Sequence, residues 1–196
     1  MEEPIDKETA PGAGAPGPDV EACIAEEVLL IRHSGEIPEV AFHGSLHYLT
    51  EDPEGPGLVL GKAHLHRLKV AVVARYRAIL LRDLDPGNRD RRLYRGVARS
   101  IWNWRRLRDF CRREGLEAEE IRREAARALE AFLRCELDDV RAGRRTSCIN
   151  CPAEDLRAFA RELGIRDTRL PKGWEALCPD ARGPRDQGAG DGRGDP

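Results

Sequence analysis

The sequence predicts an all-α fold, and three observations carry that prediction. Between Lys62 and Ala142, apolar residues recur at three- and four-residue steps in three successive runs. Helix-ending residues separate the runs, first Asp85-Pro86-Gly87-Asn88 and then Gly115. The chain ends, 1–18 and 179–196, are rich in Pro, Gly and charged residues and offer little to pack, so both are expected to be disordered tails. The expected architecture is an antiparallel three-helix core over about 62–142, with one or two amino-terminal helices and a short carboxy-terminal helix. Residues 19–178 are taken as a single helical domain.

Each element has its own reason. Val20, Ile24, Val28 and Ile31 fit a helix capped by Asp19, with Glu21, Glu26 and Glu27 early and Arg32 and His33 late, although EVLLIR also reads as a strand. Residues 38–50 start with Pro38 and Glu39 and stop at Asp52-Pro53; this is helix punctuation, with a small hairpin as the alternative over 27–50. In the first core helix, Leu65, Leu68, Val72, Tyr76 and Ile79 form the stripe, and Val70, Val73, Leu80 and Leu84 widen it. Leu93, Val97, Ile101, Trp104, Leu107 and Cys111 make the second stripe, with Asp90 as its N-cap. A third begins near Glu117 and runs through Ile121, Ala125, Ala128, Phe132, Leu133, Leu137 and Val140 to Gly143. At 1.5 Å per residue these helices are roughly 34 to 39 Å long, and their short connections fold them antiparallel. The last helix, Pro152 to Leu163, places Leu156, Phe159, Ala160 and Leu163 on one face and ends at Gly164.

Composition narrows the function classes. The chain is 40% hydrophobic and 35% charged, and no apolar run approaches the roughly 18 residues of a membrane span. Met1 to Glu8 is acidic and lacks the shape of a signal peptide, so a cytoplasmic location is expected, with the six cysteines reduced. There is no GxxxxGK[ST] or GxSxG motif, which argues against an enzyme.

Charge is unevenly placed. Residues 1–61 carry 13 acidic and 2 basic side chains, a net of −11, whereas residues 62–116 carry 16 basic and 5 acidic, a net of +11. The simplest consequence is that the acidic segment packs on or beside the basic helices and neutralises them. An exposed Arg-rich helix over 91–113 would instead suit a nucleic acid, with Arg95, Arg99 and Arg106 on phosphates and Trp102 stacking on a base. The same residues are the candidate surface for a protein partner.

Cys148 and Cys151 form a CxxC immediately before Pro152. A cysteine at a helix start has its thiolate favoured by the dipole, which suits thiol exchange or metal binding. Zinc is the metal such thiols would take, with Cys178 as third ligand and His43 or His47 as fourth. His43 and His47 share one face if 38–50 is helical, between Glu39 and Glu51. The plainer account is a set of structural thiols and a polar helix stripe. The sequence therefore favours a non-catalytic helical binding or adaptor protein acting through a protein partner. A nucleic-acid-binding regulator and a small metal or redox protein are the rivals.

Overall fold

A computed structural model of the protein describes residues 18–87, 96–144, 149 and 151–178. The expected tails, the Asp90 cap, Leu93, Arg95 and Cys148 lie outside the described residues. Every regular element among the described residues is helical: α1 (Val20–His33), α2 (Pro38–Thr50), α3 (Lys62–Asp83), α4 (Gly96–Glu114), α5 (Glu119–Arg141) and α6 (Ala153–Glu162), followed by two short 3-10 turns, Asp167–Arg169 and Trp174–Leu177. Two compact units divide the chain, Met1–Leu68 and Lys69–Pro196.

In the first unit α1 and α2 pack as a helical hairpin. Asp19 caps α1, its carboxylate accepting from the backbone N–H of Glu21 at 3.0 Å and of Ala22 at 3.3 Å. Ser34 turns the chain between the helices, its Oγ accepting from the N–H of Glu36 at 3.0 Å. Pro38 then opens α2, where its missing N–H costs nothing. Ile24, Glu27 and Ile31 of α1 and Pro38, Phe42, Ser45 and Leu49 of α2 are the buried faces. Residues 27–50 are thus helix throughout their two regular segments, and the strand and hairpin alternatives are excluded. Glu21 reaches the start of α3, pairing with Arg67 and, at 3.2 Å, with His64.

In the second unit the side-chain pairs define helix direction. Lys69, early in this part of α3, pairs at 2.8 Å with Glu114 at the end of α4, while Asp83 at the end of α3 pairs with Arg99 near the start of α4. These two helices are therefore antiparallel. Arg77 of α3 grips Glu124, in the second turn of α5, with both donors at 2.6 and 2.5 Å, which brings α5 back alongside α3. Leu68, Val72, Tyr76, Leu80 and Leu84 are fully buried on the α3 stripe, joined by Ala71. Val70 departs from expectation: it is 39% exposed. It lies two residues before Val72, a step that turns about 200° around a helix and carries it to the opposite side. In α5 the continuous seam is Ile121, Ala125, Leu129, Leu133 and Leu137, with Ala128, Phe132 and Val140 on the half-buried flank.

Helix ends follow the glycines. Gly115, Gly143 and Gly164 each take positive φ (67°, 66° and 82°), the conformation that closes a helix at low cost only without a Cβ. After Gly164 the chain turns back, and the 3-10 turns cover α5 and α6. No described helix is long and apolar enough to cross a membrane.

Candidate partner-binding surface and the buried cysteines

Helix α4 divides its side chains sharply. Val97, Ile101, Trp104, Leu107, Phe110 and Cys111 are buried, whereas Trp102 is 44% exposed. The sequence places Trp102 off the apolar stripe for the same reason that Val70 leaves its own. Above the indole lies the guanidinium of Arg106, 4.3 Å from the ring centroid, a cation–π pair at the surface.

The neighbouring arginines are engaged by carboxylates of their own unit. Arg99 closes a two-donor fork on Asp83, whose side chain has no solvent exposure. Arg105 and Arg108 converge on Glu162 of α6 at 3.0 and 3.1 Å. Arg112 lies 3.4 Å from Asp109, and Arg113 donates to Glu114 at 3.2 Å. For these side chains, the neutralisation that the sequence assigns to the acidic amino-terminal segment is supplied by Asp83, Asp109, Glu114 and Glu162. Lys69, and then Arg113, hold the Glu114 carboxyl below its usual range.

Of the CxxC pair, only Cys151 lies within the described residues. Cys151 is 2% exposed and sits two residues before α6, its thiol donating weakly to the Pro152 carbonyl at 3.5 Å. Its segment is tied down by the N–H of Ile149 donating to the Leu177 carbonyl at 2.8 Å. Burial pushes the Cys151 thiol up to about 12, and the negative charge of Asp155 pushes the same way against Arg105. Burial thus opposes the dipole at this position and favours the protonated thiol. Cys178, also buried, lies close enough to Cys151 for the two to interact electrostatically.

His43 and His47 do share the outer face of α2, and both are exposed. His47 is 3.3 Å from Glu51, and the His43 ring packs against Phe42 at 5.4 Å. Among the described residues no group of three or more His, Cys, Asp or Glu side chains is set to hold a metal ion.

Exposed apolar residues of α1 and α2 went unread in the sequence. Leu29 and Leu30 of α1 are each 56% exposed, and Val40 and Tyr48 of α2 are 52% and 43% exposed. Val40, Gly44 and Tyr48 follow one another at four-residue steps, and a Cβ on Gly44 would meet nothing within 4 Å. That spacing, beside the buried series Phe42, Ser45 and Leu49, was the available signal.

Residues 19–165 match the family model described as a repeat of unknown function, DUF7826. The chain belongs to that family. No curated protein and no solved structure matches it. The DUF7826 match starts at the Asp19 cap and ends one residue after Gly164, so it contains all six helices, Trp102 and Cys151, while Cys178 lies beyond it.

Proposed function

We propose that this DUF7826 chain is a non-catalytic helical binding module, an adaptor that engages a protein partner through the exposed face of α4. The observation that carries this reading is the exposure of Trp102, an indole at the surface with Arg106 stacked on its ring. Tryptophan and arginine dominate binding energy at protein interfaces because they bury large area while keeping a polar handle. The neighbouring arginines favour a protein over a nucleic acid. Phosphates would have to displace Glu162 from Arg105 and Arg108, and Asp83 from Arg99, before gaining those contacts. The unbridged thiols of Cys23, Cys111, Cys135, Cys151 and Cys178 suit a reducing compartment such as the cytoplasm.

A photo-crosslinking residue in place of Ala98, one turn before Trp102 on the exposed face, tests the reading in cells that make the protein. Discrete protein adducts that disappear with Trp102→Ala support it. Nucleic-acid adducts, or none above a control placed at exposed Arg134, overturn it.

A further inference from the structure

Residues 166–178 lie beyond the family match, which ends at Ile165. They carry three buried apolar side chains, Leu170, Trp174 and Leu177, and their two 3-10 turns pack on α6 and α5. Gly173, at φ 84°, turns the chain ahead of Trp174, and Arg157 of α6 lies over the indole, 5.4 Å from the ring centroid. Polar ties run along the rim. Arg141 donates to the Lys172 carbonyl at 3.3 Å, Arg161 to Asp167 at 2.9 Å and Arg157 to Glu175 at 3.5 Å. These groups are largely exposed, so each tie contributes little beside the three apolar anchors. Two further links are less exposed: the Ile149 N–H donates to the Leu177 carbonyl at 2.8 Å, and Arg169 pairs with Glu130 at 2.9 Å. Glu130 also has Arg134 in reach at 3.9 Å.

An aromatic anchor, flanking aliphatic side chains and a polar rim are the means by which a short linear segment occupies a helical groove. The groove on α5 and α6 belongs to the body that the chain shares with its family, whereas the segment that fills it lies outside that body. The family is described as a repeat, and the helices of a repeat are covered by what lies beside them. We infer that the α5–α6 groove is a binding site for an extended segment carrying one indole between two leucines. Residues 166–178 occupy it as an intramolecular ligand, which a partner's segment of the same chemistry displaces. Tethering holds the chain's own segment at an effective concentration on the order of millimolar, so the groove stays filled until a tighter partner arrives. The site uses no exposed residue of α4 and stands or falls apart from the reading above.

A fluorescent peptide of residues 166–178, with Cys178→Ser, tests this against the full chain by anisotropy. Trp174→Ala with Leu177→Ala in the chain empties the groove, so the peptide should bind that variant about tenfold or more tighter than wild type. The same peptide carrying Trp174→Ala should not bind. Failure of the peptide to bind the folded variant overturns the inference. Equal binding to wild type and variant also overturns it, because the peptide would then sit elsewhere. Circular dichroism checks that the variant keeps its helices. If it loses them, labelling of wild-type Cys178 by iodoacetamide decides, with peptide mapping to locate the adduct. Cys178 closes the segment and is buried, so excess peptide should speed its labelling several-fold, and the peptide carrying Trp174→Ala should not. Unchanged labelling would make residues 166–178 a fixed part of the core and overturn the inference.

Discussion

Arg99 places two guanidinium donors on Asp83, a carboxylate with no exposed side-chain surface at the last residue of α3. The pair spans the connection between α3 and α4 and holds the end of one helix to the start of the next. It also removes Arg99 from the residues available to a partner.

Breaking that pair should be costly. Arg99→Ala leaves the buried Asp83 with Arg82 alone, 3.5 Å away, so the loss should be about 2 to 3 kcal/mol, short of the full cost of an unpaired buried charge. Arg99→Lys should recover only part of the loss, because an ammonium cannot reproduce the two-donor geometry. Denaturant unfolding of both variants checks this, and an Arg99→Ala midpoint equal to wild type would mean that the pair contributes nothing.

Gly164 should be more sensitive to a side chain than Gly143, although both have positive φ. A Cβ at Gly143 meets open space, whereas one at Gly164 runs into the Arg122 guanidinium, itself held by Glu119 and by the Leu163 carbonyl at 3.0 Å. Gly143→Ala should cost about 1 kcal/mol from backbone conformation alone, and Gly164→Ala distinctly more. Adding Arg122→Ala to Gly164→Ala should relieve the excess in a double-mutant cycle. Equal losses at the two glycines would rule out the steric part.

The buried thiols make stability fall at alkaline pH. Cys151 is raised from an ordinary 9.0 to about 12, so the unfolded chain ionises first, and stability present below pH 9 declines as pH climbs toward 12. Cys111, raised to about 11 chiefly by burial, acts in the same direction. Unfolding curves of wild type and Cys151→Ala should therefore converge or cross above pH 9. At pH 8 the native Cys151 should resist iodoacetamide until the chain is unfolded, as peptide mapping will show. Rapid labelling of the native thiol, or stoichiometric zinc in protein purified without chelators, would favour the thiol-exchange or metal reading of Cys151 instead.

Glu162 holds down the basic surface of α4 through Arg105 and Arg108. Glu162→Gln should release both guanidinium groups and raise affinity for generic duplex DNA by about tenfold at low salt, with the gain lost at high salt. Fluorescence anisotropy measures it. If the wild-type chain already binds as tightly as Glu162→Gln, the carboxylate does not mask the surface.

What the sequence determined by itself is local. Helix stripes, the Asp19 cap and the closing residues Gly115, Gly143 and Gly164 were all legible, because periodicity and backbone propensity act within a few residues. The exposure of Trp102 was legible for the same reason, being a matter of angle around one helix. What tertiary structure decided was which charges meet and what burial does to them. Nothing in the spacing joins Arg105 and Arg108 to Glu162, or Arg99 to Asp83; those pairs depend on how α6 and α3 lie against α4. The Cys151 thiol shows the limit most clearly. Its position before a helix start argued for a thiolate, yet desolvation, which depends on everything packed around the sulfur and on nothing adjacent in the chain, drives it the other way.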